Sequence, residues 1–96
     1  MKILIPSPLR QYADNQPEVS SSATTVADAL ASLIRDYPLL RKHLYTDDGK
    51  LRAFVNVYLN DDDLRYLEKK DATAVKESDV ISIIPSIAGG NWSLYV

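Results

Sequence analysis

The N-terminal part of the chain contains two short segments with a β-strand pattern. The residues of Lys2–Pro6 alternate between two faces, with Ile3 and Ile5 on one face, and the proline-rich cluster Pro6–Pro8 ends this run. Glu18–Ser22 follows a polar turn and has the length of a second strand. We expect the two segments to pair as a hairpin.

A helical period follows. Thr25 is a suitable N-cap residue, with Asp28 three positions later, and apolar side chains then recur at spacings of three and four: Val26, Ala29, Leu30, Leu33, Ile34 and Tyr37. Pro38 ends the predicted helix, because the residue before a proline disfavours the helical conformation. Leu39–Leu44 is predicted to be irregular or a single turn, and Asp47–Gly49 a turn.

The second half of the chain returns to a period of two. Leu51–Asn60 predicts a long central strand, one face of which carries Leu51, Ala53, Val55, Val57 and Leu59. The acidic run Asp61–Asp63 ends it, Leu64–Leu67 is predicted as a brief return strand, and Asp79–Ile87 as the last strand. The order ββαβ(β)β predicts an α+β fold, in which one main helix lies across a mixed sheet of four to five strands.

Length and composition exclude several classes of function. The 96 residues, 46% of them hydrophobic, fit one small domain. The chain has no cysteine, which excludes disulfides, thiolate metal sites and a cysteine nucleophile. The net charge of −2 comes from intermixed acids and bases, and no apolar run is long enough for a signal-peptide core or a membrane span. We therefore expect a cytoplasmic protein without nucleic-acid or membrane partners.

Other polar motifs do not indicate a site. His43 is the single histidine and has no nearby ligand set, so a structural or surface role is expected. Asp47–Gly49 and Asp61–Asp63 lack the ligand spacing of a calcium loop and are predicted to be solvated turns. Asn91–Ser93 matches the glycosylation pattern by coincidence. We predict no metal site and no catalytic residue.

The glycine pair Gly89-Gly90 is the most informative motif. Pro85 is expected to release the chain from the sheet, so that the small residues from Ala88 onward extend as a mobile tail. Two residues without Cβ atoms can enter a narrow active-site channel and leave the Gly90 carbonyl carbon open to attack. An ordinary flexible turn is the alternative interpretation, and the pair alone does not decide between them.

The element order ending in a strand and Gly-Gly resembles the β-grasp sulfur-carrier proteins of the ubiquitin-like superfamily, the ThiS/MoaD-like family. The resemblance covers residues 1–90. Within the family, Phe54–Arg65 and Ile84–Gly90 are most similar to the branch that carries sulfide for cysteine biosynthesis. The resemblance implies a ubiquitin-like β-grasp domain over residues 1–88 and a tail over residues 89–96.

The resemblance also implies a protein cosubstrate and not an enzyme. The carboxylate of Gly90 would attack ATP in an E1-like adenylating enzyme, sulfur would displace AMP, and the thiocarboxylate would supply a synthase, typically one dependent on pyridoxal phosphate. The chain itself would bind no cofactor. Alternatives are a carrier of the molybdopterin or thiamin pathway and a ubiquitin-like modifier or interaction protein.

Residues 91–96 depart from the family pattern, because they place the Gly90 carbonyl in a peptide bond that cannot be adenylated. We therefore expect a precursor that is cleaved between Gly90 and Asn91, by resemblance through a JAMM-type zinc metalloprotease. The segment is apolar, with Trp92, Leu94, Tyr95 and Val96. Folding back on the sheet and recognition by the protease are both open interpretations of it.

Phe54 and Tyr58 lie on the strand face opposite Val55 and Val57. Exposed aromatic side chains are typical of interface hot spots, so the pair, with Ile87 at the start of the tail, is the predicted docking surface for the adenylating enzyme. The alternative is that the two rings cover arginine stems or a loop.

Overall fold

The computed structural model describes residues 1–53 and 55–85. Its first two strands, β1 (Lys2–Leu4) and β2 (Glu18–Ser20), pair antiparallel with Ile3 opposite Val19, as predicted, although both are shorter than expected. The connection is not simply a polar turn. It contains a 3-10 helix, Ser7–Tyr12, which begins after Pro6 and places Leu9 in the core.

The main helix α1 (Val26–Asp36) begins where the sequence predicts. The Thr25 hydroxyl accepts a hydrogen bond from the Asp28 backbone N–H at 3.1 Å, which satisfies one of the unpaired donors of the first turn. Its buried side chains are Val26, Ala29, Leu30 and Leu33. A 3-10 turn, Pro38–Leu40, and the short helix α2 (Arg41–Leu44) follow, in agreement with the predicted single-turn segment.

The predicted start of the long central strand at Leu51 is wrong. In the structure, β3 covers Val55–Leu59. Leu51 instead forms an isolated bridge with Tyr45, and the Arg52 N–H donates to the Leu44 carbonyl at 2.9 Å. These local partners turn the chain back toward α2 before it enters the sheet. Within β3 the alternation is confirmed, since Val55, Val57 and Leu59 are buried.

The predicted return strand Leu64–Leu67 is also wrong. The return strand is the two-residue β4 (Asp62–Asp63), and Leu64–Tyr66 forms a 3-10 helix capped by the Asp63 side chain. The turn before β4 is made by Asn60 and Asp61, with Asn60 in the left-handed region at φ 55°. The acidic run therefore contributes both to a turn and to the sheet edge.

The last described strand, β5 (Val80–Pro85), lies at the centre of the sheet. It is parallel to β1 and antiparallel to β3, so that the order across the five-stranded mixed sheet is β2-β1-β5-β3-β4. α1 covers one face, and the core between them includes Ile3, Leu30, Leu33, Ile81 and Ile83. The predicted α+β architecture is confirmed, whereas the predicted domain boundary at residue 88 lies outside the described residues.

Candidate functional site

The sheet face that α1 does not cover is the candidate docking surface, and we call it the open face. The pairing register aligns one side chain from each strand in a single row across it: Glu18, Leu4, Ser82, Tyr58 and Asp63. The row is apolar or neutral at its centre and carries a carboxylate at each end. This pattern gives the open face a hydrophobic middle and a polar rim.

The centre of the open face exposes more apolar surface than the row alone suggests. Leu4 is 38% exposed and Ile84, two residues beyond Ser82, is 46% exposed. Tyr58 is half-buried on the same face. We call Leu4, Tyr58 and Ile84 the apolar patch. Clustered apolar side chains that remain exposed on a small domain are typical of interaction sites.

The two ends of the row are held by ion pairs. Lys2 Nζ lies 3.6 Å from the Glu18 carboxylate, and Arg65 Nη2 lies 2.9 Å from Asp63 Oδ2. Hydrogen bonds from the Arg65 side chain and backbone keep the pKa of the Asp63 carboxyl below its usual value. Asp63 is therefore charged at neutral pH and contributes a fixed polar rim beside Tyr58.

A cleft adjoins the apolar patch where β5 continues beyond the end of β1. The last β1 pair is Leu4 with Ser82, but β5 continues to Pro85, which pairs with Val55 on the other side. The cleft has a volume of about 280 Å³, and its lining includes Leu4, Ile84 and Arg10. The chain leaves the described region beside this cleft.

Pro85 does not release the chain from the sheet in the way that the sequence suggested. It is the last residue of β5, is buried and pairs with Val55 of β3. Ala88, Gly89, Gly90, Asn91 and the remaining tail positions lie outside the described residues.

Of the predicted docking residues Phe54, Tyr58 and Ile87, only Tyr58 is among the described residues. Tyr58 lies on the open face, as the alternation in β3 predicted. Phe54 and Ile87 lie outside the described residues. The sequence interpretation missed Leu4 and Ile84. Both adjoin buried residues of the inner face, the sheet face that packs against α1: Leu4 separates Ile3 from Ile5, and Ile84 follows Ile83. Because these neighbours are all apolar, the sequence pattern did not mark Leu4 and Ile84 as exposed.

His43 has a packing role. Its ring stacks on Tyr12 with the centroids 4.4 Å apart, and its buried Nε2 has no hydrogen-bond partner among the described residues. Burial, together with the charges of Lys42 and Arg52, lowers the pKa of His43 below its usual value. The ring is therefore neutral near pH 7.

Two kinds of structural feature are absent from residues 1–53 and 55–85. Within these ranges no three His, Cys, Asp or Glu side chains are placed to hold a metal ion. None of the helices there is long and apolar enough to cross a membrane.

Known proteins resemble this chain over most of its length. It is 36% identical over 90 residues to the sulfur carrier protein CysO of Mycobacterium tuberculosis, covering 92% of this chain and 96% of that protein. It is 38% identical over 66 residues to the small archaeal modifier protein 3 of Haloferax volcanii, covering 69% and 70% of the two chains.

Structural comparison gives the same relationship. One chain in the crystal structure of the Amycolatopsis orientalis BexX/CysO complex matches with a TM-score of 0.80 and 29% identity, covering 93% of this chain and 98% of that one. Such neighbours confirm the ubiquitin-like β-grasp fold. The model of the ThiS family matches residues 3–90. This match spans nearly the whole chain, and the protein therefore belongs to the ThiS family.

Proposed function

We propose that this protein is a sulfur carrier whose reactive group is the Gly90 carboxylate, formed when the chain is cleaved between Gly90 and Asn91. The observation that carries the proposal is the extent of the family match, which runs from residue 3 to residue 90 and so stops at the second glycine. The relative named as a sulfur carrier, with 36% identity over 92% of the chain, supports the same role.

The chemistry follows from a carboxylate at the end of an unbranched tail. A Gly90 carboxylate oxygen attacks the α-phosphorus of ATP, pyrophosphate leaves, and an acyl-adenylate forms. Hydrosulfide then attacks the Gly90 carbonyl carbon, AMP leaves with the carboxyl oxygen, and the proton of hydrosulfide is released. The product is a thiocarboxylate. No side chain of the carrier takes part, in keeping with a chain that has no cysteine.

The folded body supplies recognition. The apolar patch lies close to the end of β5, because Ile84 directly precedes Pro85, the last residue of that strand. An adenylating enzyme that binds Leu4, Tyr58 and Ile84 therefore also fixes the point from which the tail starts. We include the predicted docking residues Phe54 and Ile87 in the same surface. The BexX/CysO complex is a case in which a structural neighbour is bound to a partner.

The remaining partners follow from the same scheme. Cleavage after Gly90 calls for a protease, which we propose to be a JAMM-type zinc enzyme. The thiocarboxylate calls for an acceptor, which we propose to be a pyridoxal-phosphate synthase that makes cysteine or a related sulfur amino acid. Because formation of the thiocarboxylate consumes ATP, we place the carrier in the cytoplasm.

The test compares chain lengths in one reaction. A variant ending at Gly90 is incubated with ATP, sulfide and an E1-like adenylating enzyme, and its intact mass is measured. We expect the mass to rise by the difference between sulfur and oxygen, whereas the chain of residues 1–96 stays unchanged. If the shorter variant is not adenylated, as judged by pyrophosphate release, the carrier role is excluded.

A modifier role is the second candidate, and the match to small archaeal modifier protein 3 favours it. In that case Gly90 would be joined to a lysine of another protein. The same variant, incubated with ATP, the adenylating enzyme and cell extract without added sulfide, would then yield adducts linked through lysine. Adducts without thiocarboxylate would favour the modifier over the carrier.

A further inference from the structure

We infer that the apolar patch is an intramolecular docking site for residues 91–96, and that this segment excludes the adenylating enzyme until the chain is cleaved after Gly90. The docking itself depends only on the patch and the segment. Its consequence for the adenylating enzyme rests on the proposed function.

The apolar patch leaves hydrophobic side chains exposed that a partner could cover. Leu4 and Ile84 are 38% and 46% exposed on the same face of neighbouring strands, and both line the cleft beside the end of β1. Removing apolar surface of this kind from water is favourable. A partner with matching apolar side chains would therefore be stabilised on this face.

The segment has the composition that this surface requires. Residues 91–96 contain Trp92, Leu94, Tyr95 and Val96 and carry no charged side chain, although 25% of the whole chain is charged. The centre of the open face is likewise uncharged, since Glu18 and Asp63 stand at the two ends of the row. Both surfaces are thus apolar at the point where they would meet.

The segment also begins within reach of the patch. Residues 86–90 separate it from the end of β5, and five residues span at most about 18 Å. The patch extends over β1, β5 and β3, roughly 10 Å at the usual spacing of strands. Gly89 and Gly90 can adopt the positive φ angles that a tight reversal needs. Residues 91–96 can therefore return to the patch while β5 stays paired.

This arrangement would give cleavage two effects at once. Cutting after Gly90 creates the carboxylate, and release of residues 91–96 also exposes Leu4, Tyr58 and Ile84. A precursor would then be unable to occupy the adenylating enzyme as an unproductive competitor. Cleavage alone does not require residues 91–96 to be apolar. Docking onto the patch explains why they are.

Trp92 is the single tryptophan of the chain and reports directly on docking. In the chain of residues 1–96, we expect its emission to be blue-shifted and its quenching by acrylamide at least threefold slower than in a peptide of residues 86–96. The double variant Leu4→Ser/Ile84→Ser should raise the quenching rate to that of the peptide. Leu39→Ser is the matched control, since Leu39 is 60% exposed on a 3-10 turn away from the sheet, and it should leave Trp92 unchanged.

Three results would overturn the inference. The first is quenching of Trp92 that is as rapid in the full chain as in the peptide. The second is a double variant whose circular dichroism is unchanged but whose Trp92 stays protected. The third is protection that disappears on dilution, because it would indicate docking onto a second copy of the chain.

Binding of the adenylating enzyme tests the consequence. The variant ending at Gly90 should bind at least tenfold more tightly than the chain of residues 1–96, and Trp92→Ser/Leu94→Ser in the longer chain should recover most of the difference. Equal affinities of these three proteins for the adenylating enzyme would contradict the inference that residues 91–96 exclude that enzyme. A protein that fails to accept sulfur but still protects Trp92 would refute the proposed function and leave the docking intact.

Discussion

Side chains along β5 lie in two different environments, the buried core beneath α1 and the open face. Ile81 and Ile83, beneath α1, are 0% and 4% exposed, whereas Ile84 on the open face is 46% exposed. These isoleucines belong to one strand and differ only in the direction that the pleat gives them. On the inner face apolar side chains fill a closed core, and on the open face they remain available to a partner.

The difference shows how one sheet supports two separate tasks. Stability arises mainly from the inner face, where burial under α1 is nearly complete. The open face contributes less to folding, because its apolar side chains keep much of their contact with water in the folded state. Substitutions on the two faces should therefore change different measurable quantities.

The largest effect is expected from Ile81→Ala. Removing a fully buried isoleucine from the centre of the core should lower the free energy of unfolding by about 3 kcal/mol, measured by urea denaturation. The matched control is Ile84→Ala, the same change three residues along the same strand, which should cost less than about 1 kcal/mol. Equal losses would show that the two faces contribute alike.

Thr25→Ala should have an intermediate effect. It removes the side-chain oxygen that accepts from the Asp28 N–H at the start of α1, and so should lower the free energy of unfolding by about 1 kcal/mol. Thr24→Ala is the neighbouring control, because it keeps the Thr24 backbone carbonyl, which accepts a hydrogen bond from the Val75 N–H. Similar costs for both variants would mean that the cap does not stabilise the helix that covers the inner face.

The smallest effect concerns the pH dependence of the core edge. The pKa of His43 is lowered in the folded state, so the unfolded chain binds the proton more readily. The contribution of His43 to stability is therefore complete above the ordinary histidine pKa of about 6.5 and is lost as the pH falls below it. His43→Phe keeps a ring against Tyr12 and should reduce the loss in urea midpoint between pH 7.5 and pH 5.5. An identical loss in both proteins would contradict this role.

Much of the fold could be predicted because its signals are local. The cap at Thr25 and the spacing of the apolar residues identify α1, and the alternation in Val55–Leu59 identifies the buried face of β3. The errors occurred where a nonperiodic contact overrides the pattern. Leu51 pairs with Tyr45 although it continues the alternation, and the Asp63 cap makes a 3-10 turn at Leu64–Tyr66 where an apolar pattern suggested a strand.

The candidate site was less accessible to prediction from sequence. Tyr58 could be assigned to the open face because its strand alternates clearly. Leu4 and Ile84 sit in continuous apolar runs, where side-chain periodicity does not distinguish the two faces. Their proximity depends on the parallel pairing of β1 with β5, which joins residues from the two ends of the sequence. The predicted tail residues, including Gly90, remain predictions.

The position of β5 also bears on the order of events in the cell. Pairing of Ile3 with Ile81 closes a loop of almost the whole described chain, so the sheet cannot be completed during synthesis until β5 has emerged. The same strand directly precedes residues 86–96 in the sequence. A chain that has not yet folded therefore has no assembled open face. If the proposed cleavage after Gly90 needs a protease that recognises the assembled sheet, it would follow folding and would select against unfinished molecules.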